Sequence, residues 1–270
     1  MPTINTNVNA LFAQNALKVN DRNMTKAMQQ LSTGSKVNSS ADDAAGLSSA
    51  TSMTAQIKGM NQAIRNANDA ISMLQTAEGA MTEQTNMLQR MRELAVQATT
   101  ATYNTTQLGY LDTEFQALDT QINNIASNTK WNGSTVIAST ATKSFVVGAA
   151  GTETISVTLT ATDTTTLATT SLVVSSASSA ATAVTAIDTA LASISSARAS
   201  IGAGINQLTY AADNLTNISA NMQASRSQIM DTDYATATSN LARSQIIQQA
   251  ATAMLAQANQ QPASVLALLK

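Results

Sequence analysis

The sequence predicts a mainly α protein, in which the N- and C-terminal segments form a long antiparallel helical hairpin or coiled-coil bundle with a small β-hairpin insert in the middle. Two observations lead to this fold class. Apolar residues recur at alternating steps of three and four on both sides of the centre, which is the heptad period of packed helices. The short centre is rich in Thr and Ser, and its apolar and polar residues alternate, which is typical of strands.

The first long helix is predicted over about 40–99. Its heptad stripe slips near Ala77 and resumes at Met81, which indicates a contact face that drifts around the helix. Ser40 and Asp43 are expected to cap and charge the helix start. Asp42 and Asp43 could also be two carboxylate ligands of a metal ion, although no third ligand lies nearby in the sequence. The stripe consists of Met53, Ile57, Met60, Ile64, Ala67, Ile71 and Leu74.

A second helix is predicted over about 104–127, followed by a strand. Asn132-Gly133 is a strong hairpin-turn signal. In the insert, 138–177, the run 145–147 is expected to pair with 155–159 through the Gly-Ala-Ala-Gly turn at 148–151. The insert is too short for a large core of its own, so we expect it to lean on the helices.

The helical stripe returns over about 178–231 and again in a last helix that ends near Pro262. Gly202 and Gly204 weaken the first of these helices, which predicts a bend or a close backbone approach there. The outermost segments carry too little apolar mass for a stable pair, so we predict that they are disordered in the monomer and fold on assembly. Their assembly residues are Leu17, Met24, Met28, Leu31, Leu241, Ile247, Met254 and Leu255.

Composition excludes several function classes. The chain has no Cys and no His, which removes thiolate and imidazole chemistry, and we expect no enzyme activity, no cofactor and no metal. A net charge of −2 disfavours nucleic acid. The sequence contains no run of 18 apolar residues, so we expect no membrane span, and the N-terminus lacks the pattern of a signal peptide. Only 11% of residues are charged, which suits a surface that is buried against copies of itself.

Several long motifs resemble bacterial flagellin. They are LSTGSKVNSSADDAAGL, IKGMNQAIRNANDAISMLQTAEGAM and LQRMRELAVQ before the insert, and SRSQIMDTDYA and ARSQIIQQAATAMLAQANQ after it. The resemblance covers about 1–137 and 178–270, with the motifs in the family's order. The chain departs from the pattern in its very short middle and at Gln261, where an apolar residue is expected.

The resemblance implies a flagellar filament subunit, with residues 1–39 and 228–270 in the inner core, 40–137 and 178–227 in the outer core, and 138–177 as a variable insert. It implies export, without cleavage, by the flagellar secretion apparatus to an extracellular filament. The implied partners are further copies of the chain, the hook junction proteins, the filament cap, an export chaperone and the Toll-like flagellin receptor. By the same resemblance, LQRMRELAVQ is similar to the segment that the receptor recognises, with Arg90 and Leu94 matching its central contacts and Glu114 on the next helix matching a supporting acid. Gln89 and Glu93 lie within the same stretch.

Other interpretations stay open. Helical spacing places Arg90 and Glu93 on one face, beside a packing edge that contains Leu94. Arg90 and Arg92 are then either interface residues or ordinary solvated charges of an amphipathic helix. The family alternative is a hook–filament junction protein, and the alternative from another class is a secreted helical adhesin that does not polymerise. The Thr/Ser-rich insert also suits O-glycosylation, which no sequence pattern decides.

Overall fold

A computed structural model describes the backbone of residues 7–267 and the side chains of residues 7–260. The mainly α fold with a small β insert is confirmed. α5 runs past Pro262, where the sequence predicts its end, while Gln261 lies outside the described side chains. In chain order the elements are α1 (Val8–Thr33), α2 (Ala44–Ala98), α3 (Thr105–Asn128), β1 (Lys130–Trp131), β2 (Ser134–Thr135), β3 (Ala141–Val146), β4 (Thr154–Leu159), α4 (Ala177–Met230) and α5 (Tyr234–Ala267).

Polar side chains set the helix starts. The expectation that Ser40 caps α2 is wrong, because Asp43 does so: its Oδ1 accepts a hydrogen bond from the Gly46 amide at 2.9 Å. Residues 41–43 separate Ser40 from Ala44, the first helical residue. α3 begins with a reciprocal capping box, in which Asn104 accepts from the Gln107 amide and the Gln107 side chain accepts from the Asn104 amide.

The chain divides into two compact units. Unit 1 comprises Met1–Ala55 and Asn221–Lys270, and unit 2 comprises Gln56–Ala220. Unit 2 has a core of large apolar side chains from α2, α3, α4 and the insert. α4 is the one helix within the described residues that is long and apolar enough to cross a membrane, but its apolar stripe lies in this core. Fully buried members are Phe115, Leu74, Met81, Leu88, Met91, Leu94, Ile122, Ile137, Leu159, Ile187, Ile194 and Ile201.

Two antiparallel hairpins form the β part of unit 2, and the β3–β4 hairpin confirms the β-hairpin predicted in the insert, with β3 beginning at Ala141 and not at Phe145. β1 and β2 are joined by Asn132 and Gly133, whose φ angles of 46° and 81° are those of a type I′ turn. β3 pairs with β4 so that Phe145 lies opposite Ile155 and Lys143 opposite Val157.

The β3–β4 hairpin packs against α2 and α4, at a glycine in each helix. A Cβ at Gly59 of α2 would collide with the carbonyl oxygen of Ala149 at the hairpin tip, and a Cβ at Gly204 of α4 would lie 2.6 Å from Val157 Cγ2. The close approach that the sequence predicts in α4 is therefore confirmed at Gly204. Gly202 has no atom within 4 Å of such a Cβ.

Candidate functional site

The terminal helices α1 and α5 form an antiparallel pair, which we call the terminal helix pair. Its seam follows the heptad of α1. Leu17, Met24 and Leu31 occupy one heptad position of the seam, and the smaller side chains of Asn20 and Ala27 occupy the other. Five of the predicted assembly residues are half-buried along the seam: Leu17, Met24, Leu31, Leu241 and Leu255. The residues buried most deeply in the pair are Ala10, Asn20, Ala27, Ala237 and Ser244.

Amide side chains fix the register of this pair. The Nδ2 of buried Asn20 donates to the carbonyl oxygen of Ser244 at 2.7 Å, and Asn7 Nδ2 donates to the Ala258 carbonyl at 2.8 Å. Gln248 Nε2 also donates to Asp21 Oδ1, next to the Asn20 contact, at 3.2 Å. A buried Asn in a heptad seam specifies register at some cost in stability. Asn20 is not among the predicted assembly residues, although it stands seven residues before Ala27 in the same heptad position.

The terminal helix pair also exposes a large apolar surface. On α1, Phe12 is 70% exposed and shares a face with Val8 and Val19, which lie four and seven residues away. On α5, Ile247 and Met254 are likewise seven residues apart and exposed. Apolar surface of this kind is typical of a site that another molecule covers. We define the assembly surface as Val8, Leu11, Phe12, Val19, Met28, Ile246, Ile247 and Met254, which are between 44% and 70% exposed.

The eight predicted assembly residues therefore divide into two groups. Met28, Ile247 and Met254 belong to the assembly surface, whereas the other five line the seam inside the pair. Phe12 is not among the predicted residues because it lies outside the heptad stripe that contains Leu17, Met24 and Leu31. A second stripe at the same period, Val8, Phe12 and Val19, is visible in the sequence and would have revealed it.

A short junction joins the inner ends of α1 and α5 to the rest of unit 1. The Lys36 amide donates to the Met230 carbonyl at 2.6 Å, and the Thr232 amide donates to the Gly34 carbonyl at 3.0 Å. Gly34 ends α1 with a left-handed φ of 69°. Lys26 Nζ lies 2.8 Å from Asp42 Oδ1.

The carboxylates near this junction are used for structure. The ion pair with Lys26, followed by the hydrogen bond from the Ser39 hydroxyl, lowers the pKa of Asp42 to about 2. Asp43 is the cap of α2. Each acid thus has its own structural partners. Within the part of the chain that the structure describes, no group of three acidic, His or Cys side chains could hold a metal ion.

The second candidate site is a charged patch that joins α2 to α3 in unit 2. Arg90 donates from Nε and Nη2 to Glu114 Oε1 at 3.0 and 2.8 Å, and from Nη1 to Glu93 Oε2 at 3.1 Å. These hydrogen bonds, led by the one with Glu114, raise the pKa of Arg90. The three side chains and Gln89 lie on the surface, so four of the five predicted recognition residues form one exposed patch.

Leu94 does not belong to this exposed patch. Its side chain is 1% exposed, because it stands on the packing edge of α2 with Met91 and Ala98. Arg92 is not a free charge either, since its Nε lies 2.6 Å from Asp188 Oδ1 on α4. That pair lowers the pKa of Asp188. No sequence signal connects Arg92 with a residue 96 positions away.

Comparisons with known proteins match both arms of this architecture. Residues 4–142 match the family described as the bacterial flagellin N-terminal helical region, and residues 184–269 match the bacterial flagellin C-terminal helical region. The chain is 41% identical to a flagellin of Halalkalibacterium halodurans and 36% identical to one of Bacillus subtilis, over 99% of each protein.

More distant relatives agree. The chain is 32% identical to flagellin B of Vibrio cholerae, over 98% of this chain and 99% of that protein. The crystal structure of Bacillus cereus flagellin superposes with a TM-score of 0.50 and 32% identity, covering 60% of this chain and 94% of that one. Two family regions in the right order, over most of the length, establish the relationship. This chain belongs to the bacterial flagellin family.

Proposed function

We propose that this chain is a structural subunit of the flagellar filament and polymerises by burying its assembly surface against neighbouring copies. Family membership supports the filament role and its extracellular location. The observation that carries the mechanism is the second apolar stripe of the terminal helix pair, exposed while the first stripe is already used in the seam. A helical filament of identical subunits needs such a surface outside the subunit's own core.

The composition of the seam supports coupled folding and assembly. Its most buried positions hold Ala, Asn and Ser, whereas unit 2 buries Phe, Leu, Ile and Met completely. Small side chains remove little apolar surface from water, so the pair gains little free energy by itself. We propose that residues 1–39 and 228–270 order only in the filament as its inner core. Residues 40–137 and 178–227 then form a stable outer core that carries the insert 138–177.

The test compares Phe12→Ala with Tyr210→Ala in seeded assembly. Phe12 is 70% exposed, and complete burial of a Phe side chain contributes about 1.5–3 kcal/mol, so its loss should cost assembly about 1–2 kcal/mol. That cost raises the critical concentration about 5- to 30-fold. Tyr210 is equally exposed, on α4 of unit 2, and serves as the matched control.

Critical concentrations are measured by sedimentation, and filaments are viewed by negative-stain electron microscopy. Equal critical concentrations for wild type and Phe12→Ala would refute the role of the assembly surface. Long uniform tubes distinguish a filament subunit from a hook–filament junction protein, which forms short rings. A non-polymerising adhesin would give monomers under every condition and would keep its activity after removal of residues 1–30.

We also propose that the Arg90 patch is a ligand of the Toll-like flagellin receptor. Arg90 is held by Glu93 and Glu114 while 48% of its side chain stays exposed, so the guanidinium is oriented and the side chain remains accessible to a partner. Leu94 supports the patch from the core. Arg90→Ala should weaken receptor signalling by soluble monomer, whereas Arg92→Ala, which breaks a comparable ion pair on the same helix, should change it less. Equal loss in both variants would mean that the pairs act only through helix packing.

The remaining partners are inferred from the family. We propose that the flagellar secretion apparatus exports the chain without a cleaved signal peptide, that an export chaperone holds the α5 segment, and that the hook junction proteins and filament cap contact the assembled subunit. Pull-down with the α5 segment deleted tests the chaperone contact. Retained binding would refute it.

A further inference from the structure

Two small cavities of unit 2 share the side chain of Trp131, the only Trp of the chain. The first, of about 260 Å³, is bounded by Asp69 and Phe145, and the second, of about 200 Å³, by Asn132 and Lys143. Met73 of α2 lines both. Each is an open depression, smaller than the range of about 300–1,000 Å³ that drug-sized ligand sites occupy, and the two adjoin at Trp131 and Met73.

Trp131 is held in place without being absorbed into the core. The type I′ turn at Asn132-Gly133 fixes the backbone directly after it, and Ser134 pairs with it across the hairpin. Trp131 remains 36% exposed, and its Nε1–H donates to no residue that the structure describes. A fully buried Trp usually finds a protein partner for this N–H. Here both the ring and its donor are available to another molecule.

The charged groups beside the two cavities are also available. The Asp69 carboxylate and the Lys143 ammonium form no hydrogen bond or ion pair within residues 7–260. This contrasts with Lys26, Arg90 and Arg92, each of which has an acidic partner. The site therefore offers the Asp69 carboxylate as an acceptor in the first cavity and the Lys143 ammonium as a donor in the second. Met73 and the indole give both cavities an apolar lining.

These groups match the chemistry of one ligand class. An apolar face that is edged by hydroxyl groups can stack on the indole, whose π-face is negative and attracts ring C–H groups. The hydroxyls then donate to Asp69 and accept from Lys143. The opposite charges cancel, so the site favours neither an anion nor a cation. We propose that the Trp131 site binds a short neutral oligosaccharide, with a pyranose ring stacked on the indole.

The lone Trp gives a direct test on the full-length monomer, independent of filament assembly. Cellotriose, maltotriose and N,N′,N″-triacetylchitotriose are titrated while Trp131 emission is followed. A saturable change with at least one of them is expected. The absence of a saturable change with all three would overturn the proposal, as would binding of an acidic trimer, trigalacturonate, more tightly than of every neutral one.

Variants locate the binding. Asp69→Asn removes the charged acceptor and keeps the Trp signal, so the dissociation constant should rise about tenfold, in line with hydrogen bonds to charged groups. Trp131→Ala, followed by saturation-transfer NMR on the sugar, should abolish binding. Tyr110→Ala, an exposed aromatic side chain on α3, is the control and should leave the dissociation constant unchanged. Unchanged affinity in Asp69→Asn, with its circular dichroism like that of wild type, would place the sugar elsewhere.

Discussion

Two glycines of α4 that lie two residues apart should respond with opposite sign to the same substitution. Gly204→Ala places a methyl group 2.6 Å from Val157 Cγ2 and 3.1 Å from its Cγ1. Val157 is buried, and a β-branched side chain has few other rotamers to adopt. Overpacking of this kind costs about 1–3 kcal/mol, which outweighs the helix preference of Ala over Gly.

Gly202→Ala is the matched control. Its methyl group meets no atom within 4 Å, so the substitution should stabilise unit 2 by about 0.5–1 kcal/mol through helix propensity alone. Urea denaturation followed by circular dichroism measures both changes in the free energy of unfolding. If Gly204→Ala proved as stabilising as Gly202→Ala, β4 would not rest on α4 at this position, and the docking of the insert would have to be revised.

Three further predictions concern polar groups. Burial raises the pKa of Asp119, although a hydrogen bond from the Thr169 hydroxyl opposes this shift, so the ionised carboxylate destabilises the fold. Asp119→Asn should therefore raise the Tm at pH 7. The gain should fade as the pH falls, because the wild-type carboxyl then becomes protonated. Asp42 has the opposite sign, and because its partner Lys26 lies in the segment proposed to order only on assembly, the effect is measured on filaments: Asp42→Asn should lower their melting temperature above pH 4, with the difference lost towards pH 2. Asn20→Ala removes the hydrogen bond to Ser244, worth about 0.5–1.5 kcal/mol, and should raise the critical concentration about 2- to 10-fold in sedimentation assays.

The elements of the fold were predictable from local signals. Heptad spacing located α2, α3 and α4, and Asn132-Gly133 located the β1–β2 turn. The start of α2 was assigned to the wrong residue because Ser40 and Asp43 are both good caps, and only the fold decides which carries the first helical turn. The free-monomer state of the terminal helices and the boundary between inner and outer core stay predictions.

The sites were less predictable, since they depend on contacts between distant segments. Helical spacing placed Arg90 beside Glu93, but its bond to Glu114 follows from the packing of α2 on α3. Leu94 illustrates the limit of motif transfer. A motif identifies a segment, whereas burial decides which of its side chains reach the surface.

The pairing of charges suggests how so weakly charged a chain can form a polymer. In unit 2, Arg90 and Arg92 each join α2 to a neighbouring helix, and Arg198 lies 3.6 Å from Glu78. A charge already paired within the subunit keeps a partner when a neighbouring copy approaches, whereas an unpaired charge is costly to bury. Much of the remaining surface presents Ser, Thr, Asn and Gln, which can exchange water for hydrogen bonds between subunits at a smaller desolvation cost. On the assembly mechanism proposed above, low charge serves close packing of copies, while the exposed apolar stripe of the terminal helix pair drives it.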